Sequence, residues 1–380
     1  MENSIIYLDN NATTPMDDRV LDAMLPYFKI GFANPSSTHH FGLRIKKEVD
    51  DAKVSIANLI GADSKEITIT SGATESINLA IKGLALHPSN NKRHIVTLQT
   101  EHKAVLDCCK YLETLGFEID YLPVGNDGLI DLENLKTAIT DDTLLVCVMW
   151  VNNETGVIQD IKEISKLVNN TSAYFMTDAT QAVGKMKTDV LKNEIDIMCF
   201  SAHKLYGPKG IGALYLNSKK VNRKNILAMQ HGGGHESGLR SGTLNVPAII
   251  GFAKAGEIAL VEMNENAEKI IGLRNELENE LLTIPGAKIN GNKQKRLFNT
   301  LNICIPNFDA TVFIGQHKNI AVSNGSACTS SLVEASHVLK AMGLSDDEAL
   351  GSLRVSIGKE NDLNEVHVFI EVFKKKLKKR

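Results

Sequence analysis

A lysine follows an apolar strand in the stretch Phe200-Ser201-Ala202-His203-Lys204-Leu205-Tyr206-Gly207-Pro208. An ammonium at the mouth of such a strand is costly to desolvate, and it tends to lose its proton and become nucleophilic. A neutral amine in that position can form an imine with a carbonyl compound. Ser201 and His203 beside it could hold a phosphate. An exposed loop lysine has the same local sequence, so the choice rests on whether other segments supply what a reactive lysine needs.

Four segments do. Ser71-Gly72-Ala73-Thr74-Glu75 joins a strand to a helix through small residues. Free N–H groups at the positive end of the helix suit an anion, and Thr74 adds a hydroxyl. The same residues could simply cap the helix. Asp178 ends the run Ala173 to Thr177 and precedes Ala179-Thr180-Gln181. Its carboxylate could cap the following turn. Paired with a ring nitrogen, it could instead keep that nitrogen protonated and make the ring an electron sink. Gln181 could then reach the phenolic oxygen of the same ring. His102, in Thr100-Glu101-His102-Lys103, stands at another strand end, where an imidazole could stack on a flat ring. Asn152-Asn153-Glu154-Thr155-Gly156 closes the most apolar strand with side-chain amides.

The elements that must position these residues alternate. Strands are expected at 67–70, 94–99, 117–124, 143–151, 173–178, 196–200 and 213–217, with helices at 41–59, about 102–115 and 161–168. Such alternation implies a mainly parallel sheet covered on both faces, with the ligand at the carboxyl ends of its strands. A long helical stretch over 249–282 leads to a second α+β unit with strands near 301–305, 320–322 and 353–357. No internal repeat or low-complexity linker intervenes, so the two units should pack closely.

At 380 residues and 43% hydrophobic content the chain can fill two cores. Its net charge of -3 argues against nucleic-acid binding by bulk electrostatics. The one basic run, Lys374 to Arg380, reads as a solvated helix end. The amino-terminal residues lack the pattern of a signal peptide, and no run reaches membrane-spanning length, so a cytoplasmic protein is expected. Cys147, Cys199 and Cys304 lie in apolar runs and read as core. No C-x-x-C occurs, so no metal site is expected. Cys328, in Ser323-Asn324-Gly325-Ser326-Ala327-Cys328-Thr329-Ser330, lies instead in a polar stretch of small residues. The loop Gly207 to Gly212 is glycine-rich without the order of a dinucleotide-binding turn.

Taken in order, these segments carry a resemblance. They are joined by Asp9-Asn10-Asn11-Ala12-Thr13-Thr14-Pro15, Gly232-Gly233-Gly234-His235-Glu236 and Arg240-Ser241-Gly242-Thr243. The set, spanning residues 5–360, resembles cysteine desulfurases of the NifS/IscS group in the class V aminotransferase-fold family. The resemblance implies an α/β PLP-dependent transferase fold, aspartate aminotransferase-like. It implies a large domain at 15–255 with a mainly parallel mixed sheet, and a small α+β domain from 1–14 and 256–380. Pyridoxal 5'-phosphate (PLP) would be held by Lys204, with His102 stacked on its ring, Asp178 on the pyridine nitrogen and Gln181 on the phenolic oxygen. Ala73, Thr74, Ser201 and His203 would surround the phosphate, reached by Thr243 from the second subunit of a homodimer. Asn153, beside the cofactor, and Arg354 would grip the carboxylate of L-cysteine, the latter bidentately.

The freed Lys204 amine would move the substrate α-proton. Cys328 would take the sulfur as a persulfide, leaving alanine, and pass it to an acceptor protein for iron–sulfur clusters or for thiolation of tRNA, DNA or a cofactor. A sister activity, such as a selenocysteine lyase or a transaminase, would not need Cys328. A scaffold with little turnover would not need an intact Lys204 and Asp178. Departures from the family pattern are Asn324, where a serine is common, Asn307 to Thr311, which lacks a Gly-Glu pair, and Ser237, where a basic residue is common. The chain after Arg354 is short, so a docking tail is expected to be missing. These differences bear on loop motion and on the acceptor.

Overall fold

The computed structural model describes residues 5–325 and 335–377. Its strands in chain order are β1 (Ile6–Tyr7), β2 (Ile67–Thr70), β3 (His94–Leu98), β4 (Glu118–Leu122), β5 (Thr143–Cys147) and β6 (Tyr174–Asp178). They continue with β7 (Ile197–Ser201), β8 (Gly212–Leu216), β9 (Lys288–Ile289), β10 (Thr300–Cys304), β11 (Ile320–Ala321) and β12 (Ser352–Ser356). Seven of them form one sheet in the order β2-β8-β7-β6-β5-β3-β4. Neighbours pair in parallel except β8, which runs against both β2 and β7. This is the α/β architecture expected from the sequence.

Two apolar layers sandwich that sheet because successive residues of a strand point to opposite faces. Val96, Val146, Phe175, Met198 and Ala213 belong to one core, with the helices His40–Asn58 and Ile161–Asn169. Their neighbours Ile95, Leu145, Met176, Ile197 and Leu214 belong to the other, with the helices Ala73–Ala85 and Lys103–Glu113.

The register brings the functional ends together. Asp178 pairs with Cys199, while Ser201 and Thr70 both pair with Gly212. Gly212 is required there: a Cβ would lie 2.5 Å from the Phe200 carbonyl oxygen and 2.7 Å from the Gly72 Cα. The strand expected over 143–151 ends at Cys147. Two residues on, the Met149 N–H donates to the Glu101 side chain at 2.6 Å.

The helix Val246–Leu282, 37 residues long, runs about 56 Å at 1.5 Å per residue. Asn245 caps it, with Pro247 in its first turn. Ile249 and Phe252 fill the core of the large sheet, whereas Ile270, Leu273, Leu277 and Leu281 fill a third core. That core belongs to a smaller layer of β12-β10-β9 and the parallel pair β1-β11, closed by Phe369 and Phe373 of the helix Leu363–Leu377. The Lys359 N–H donates to the Tyr206 hydroxyl at 2.7 Å, tying the small layer to the lysine-bearing loop. Among the described residues no helix is long and apolar enough to cross a membrane.

Candidate active site

A cavity of about 920 Å³ opens at the carboxyl ends of the parallel strands. It is lined by Ala73, Thr74, His102, Asn153, Asp178, Gln181, Ser201, His203, Lys204 and Arg354. Ten of the twelve expected site residues therefore meet in one place. Thr243 is exposed and does not line the cavity. Cys328 lies outside the described residues, although Gly325 and Ala335, close to it on either side, line the cavity.

Lys204 follows β7 on a short helical turn, Ala202–Lys204. Its Nζ donates to the carbonyl oxygens of Asn11 (2.6 Å) and Ala12 (2.5 Å). The segment Asn11 to Thr14 thus forms one wall of the lysine's surroundings. Thr14 binds the His203 carbonyl, and Thr13 Oγ1 is 3.1 Å from His203 Nδ1. Burial, and then the cations Lys204 and Lys209, lower the His203 imidazole to about 4, so it is neutral at physiological pH.

The helix Ala73–Ala85 begins at Gly72 without a side-chain cap. Its first N–H donates to Ser201 Oγ at 2.7 Å. Glu75 reaches back to the Ser71 N–H at 2.7 Å, so part of the plain capping arrangement is realised as well. Its other oxygen takes Arg240 Nε at 2.9 Å and fixes the loop that leads to Thr243. Burial opposes ionisation of Glu75, but Ser71 and Arg240 outweigh it and lower its pKa.

Asp178 is 8% exposed and accepts the Thr180 N–H through Oδ1 at 2.9 Å. Its carboxylate both braces that turn and lines the cavity. His102 caps the helix Lys103–Glu113, with Nδ1 accepting the Ala104 N–H at 3.1 Å. In a neutral ring, that bond puts the proton on Nε2. Glu101, buried beneath it, is pushed well above the usual carboxylate range, chiefly by burial. Asn152 does the bracing at its strand end, accepting the N–H groups of Glu154 and Thr155, and leaves Asn153 on the cavity wall.

Arg354, on β12, is 3% exposed. Nη2 meets Asp9 Oδ1 at 2.6 Å and Nη1 meets the Asn153 carbonyl at 3.1 Å. Its Nε is buried with no hydrogen-bond partner among the described residues.

Three residues at the site were not singled out from the sequence. Asn11 gives its carbonyl to Lys204 and its side chain to Thr300 (2.9 Å). Glu154, on the cavity wall, accepts Ser336 Oγ at 2.5 Å. Lys185, 8% exposed, donates to Gln181 Oε1 at 2.7 Å, and burial followed by the cations Lys204 and Arg354 lowers it to about 7. The sequence signal for Lys185 was its position four residues after Gln181 in an otherwise apolar run, one helical turn away. Among the described residues no cluster of three or more His, Cys, Asp or Glu side chains could hold a metal ion.

The chain is similar to known proteins along nearly its whole length. "Cysteine desulfurase IscS" of Pasteurella multocida is 48% identical over 97% of this chain and 92% of its own length. The protein of that name from Rickettsia typhi is 46% identical over 98% and 91%. The solved structure of a NifS-like protein superposes with a TM-score of 0.92 at 38% identity, covering 99% of this chain and 100% of its own. The family Aminotransferase class-V matches residues 6–369, and the chain belongs to it.

Proposed function

We propose that this protein is a PLP-dependent cysteine desulfurase, which removes sulfur from L-cysteine, releases L-alanine and passes the sulfur on from Cys328. The observation that carries this reading is the single cavity shared by Lys204, Asp178, His102 and Arg354. Its relatives named cysteine desulfurases align along nearly the whole chain.

The residues present fit the cofactor that this family uses. The helix start at Gly72 is open to an anion, beside a Gly72–Gly212 approach too close for any side chain. The buried Arg354 Nε has no acceptor among the described residues, which leaves it a hydrogen bond to give. When bound, PLP supplies an electron sink for charge developing at the substrate Cα.

The rest of the chemistry belongs to the chain. Lys204 would hold the cofactor, and its amine would carry the proton of the substrate Cα. Asp178 would keep the pyridine nitrogen protonated, and His102 would stack against the ring. Thr74, Ser201 and a neutral His203 would donate to the phosphate, with Ala73 at the helix start beside it. Arg354 and Asn153 orient the substrate carboxylate, with Asp9 holding one arm of the guanidinium. The Cys328 thiolate attacks the substrate sulfur, so that an S–S bond forms as the C–S bond breaks. Protonation at the former Cβ then yields alanine and a persulfide on the enzyme.

The reading extends to an acceptor protein for that persulfide, serving iron–sulfur cluster assembly or thiolation of tRNA, DNA or a cofactor. It includes a large unit at 15–255 and a small unit of 1–14 and 256–380, a cytoplasmic location and a homodimer. The exposed apolar side chains Leu25, Phe28, Ile30, Phe32 and Leu43 support the dimer, as surface that a second copy would cover. Exposed Thr243 would then complete the partner's phosphate site. Sedimentation of the holoprotein tests this, and a monomer with full cofactor occupancy refutes it.

Anaerobic turnover of L-cysteine, with alanine and sulfide measured for wild type and Cys328→Ala, tests the activity. Alanine and sulfide from wild type, with sulfide lost in a variant that still binds PLP, is the expected result. A variant as active as wild type removes Cys328 from the mechanism and favours a lyase or transaminase.

A further inference from the structure

Behind the cavity lies a second lysine that the proposed chemistry does not use. Lys185 is buried in the turn that follows β6, where the N–H groups of Val183 and Met186 reach back to Ala179 and Ala182. Gly184 beside it packs against Leu205: a Cβ there would be 2.7 Å from the Leu205 Cβ. The turn is therefore seated directly on the loop that carries Lys204. Lys185 forms no ion pair among the described residues, and its amine donates to Gln181 Oε1 at 2.7 Å. Gln181 Nε2 in turn donates to the Asn11 carbonyl at 2.9 Å, and that same oxygen accepts Lys204 Nζ at 2.6 Å.

We propose that Lys185 is a positioning residue: through Gln181 and the Asn11 carbonyl it sets the orientation of the amide facing the cofactor and the proton affinity of Lys204. This rests on the reading of Gln181 as a cofactor contact. A carbonyl oxygen can only accept, so the Asn11 side of the chain demands the NH₂ end of Gln181. Oε1 must then face away, toward Lys185, the residue that donates to it. A hydrophobic residue of the same length would leave that oxygen buried and unpaired, and the amide would be free to turn.

The electrostatics add a second effect. The charged groups facing Lys185 are Lys204 and Arg354, both basic, which with burial bring it to about 7. Near neutral pH Lys185 is thus partly protonated, and its charge adds to that of the Arg354 guanidinium. A cation so near lowers the proton affinity of Lys204, the amine that must give up its proton to react.

The experiment uses the PLP-loaded full chain as wild type, Lys185→Met, Lys185→Gln, Gln181→Ala and the double variant Lys185→Met/Gln181→Ala. The pH titration of the visible absorption band of the bound cofactor is recorded with kcat and KM for L-cysteine. Lys185→Met is expected to move the band's midpoint upward by half a pH unit or more and to lower kcat at least tenfold, with KM within threefold. Lys185→Gln, which can still donate to Oε1, should recover most of kcat but not the midpoint. Adding Lys185→Met to Gln181→Ala should lower kcat less than threefold further. An unchanged midpoint in both Lys185 variants, or fully additive losses in the double variant, overturns the proposal. If Lys185→Met does not fold, Lys185→Gln still tests the midpoint. The band responds whatever the substrate is, so failure of the desulfurase reading, seen as no alanine from wild type, is distinguishable from failure of this one.

Discussion

Glu154 should behave as a carboxyl that weakens the fold at neutral and higher pH. It is 3% exposed, bonded to Ser336 Oγ, and so close to Gly325 that a Cβ there would be 2.4 Å from Oε2. Burial lifts its pKa from 4.5 to about 7, against weaker opposing pulls from Ser336, Arg354 and Lys103. The folded chain therefore holds a proton between those two values that the unfolded chain has released. Its stability contribution is retained below about 4.5 and lost as pH rises toward and past about 7. A gap of about 2.5 at 1.36 kcal/mol each gives a penalty on the order of 3 kcal/mol above that range.

Glu154→Gln removes the ionisation and keeps an oxygen for Ser336. Urea unfolding of both proteins, at one fixed protein concentration because any dimer shifts the midpoint, should give similar stability near pH 4.5. At pH 8 the variant should be more stable by about 3 kcal/mol. A stability difference that stays within about 1 kcal/mol across that range, or a variant weaker at pH 8, would refute the argument.

Two further changes test the cavity itself. Arg354→Lys keeps the charge but loses the planar fork, forfeiting a charge-assisted hydrogen bond worth about 1.5–3 kcal/mol. KM for L-cysteine should rise about 10- to 150-fold, with a smaller change in kcat; steady-state kinetics decide, and an unchanged KM would exclude Arg354 from substrate binding. Gly212→Ala forces a methyl against the Phe200 carbonyl and Gly72, both backbone. A loss of about 1–3 kcal/mol is expected, with reduced cofactor content. Calorimetry and cofactor stoichiometry read the two effects, and wild-type values for both would refute the contact.

Much of this was legible because strand ends announce themselves. The runs before Asp178, Ser201 and Asn152 are apolar and short, so the polar residue after each had to lie at the sheet's edge. What the sequence hid were contacts made across hundreds of residues. Nothing near Asn11 says that its carbonyl will meet Lys204, because that bond joins the first wall of the cavity to β7. Nothing local marks Lys185 as buried, since lysines are mostly exposed; the turn that carries it packs on Leu205 through Gly184. The strand at 143–151 was drawn too long for a related reason: the Met149 N–H is claimed by the side chain of Glu101, which local periodicity does not register. The helices Asp18–Met24 and Leu132–Ala138, only seven residues each, are too short for apolar periodicity to mark, whereas the basic run from Lys374 does mark the end of the helix Leu363–Leu377.

The bridge between the start and the end of the chain has a consequence for the order in which the molecule is made. Leu8, Asn10 and Asn11 bond to Ser356, and Asp9 to Arg354, across about 345 positions. Synthesis at about 5–20 residues per second takes roughly 20–75 s for a chain of this length. For roughly two-fifths of that time, between positions 204 and 354 of 380, Lys204 has been made while Arg354 has not. The amino-terminal segment must wait beside a finished sheet for its partner, and the substrate pocket closes as one of the last acts of folding. The pairing of Asp9 with Arg354 therefore serves as a clock: the cavity wall it builds cannot be complete before the chain has passed position 354.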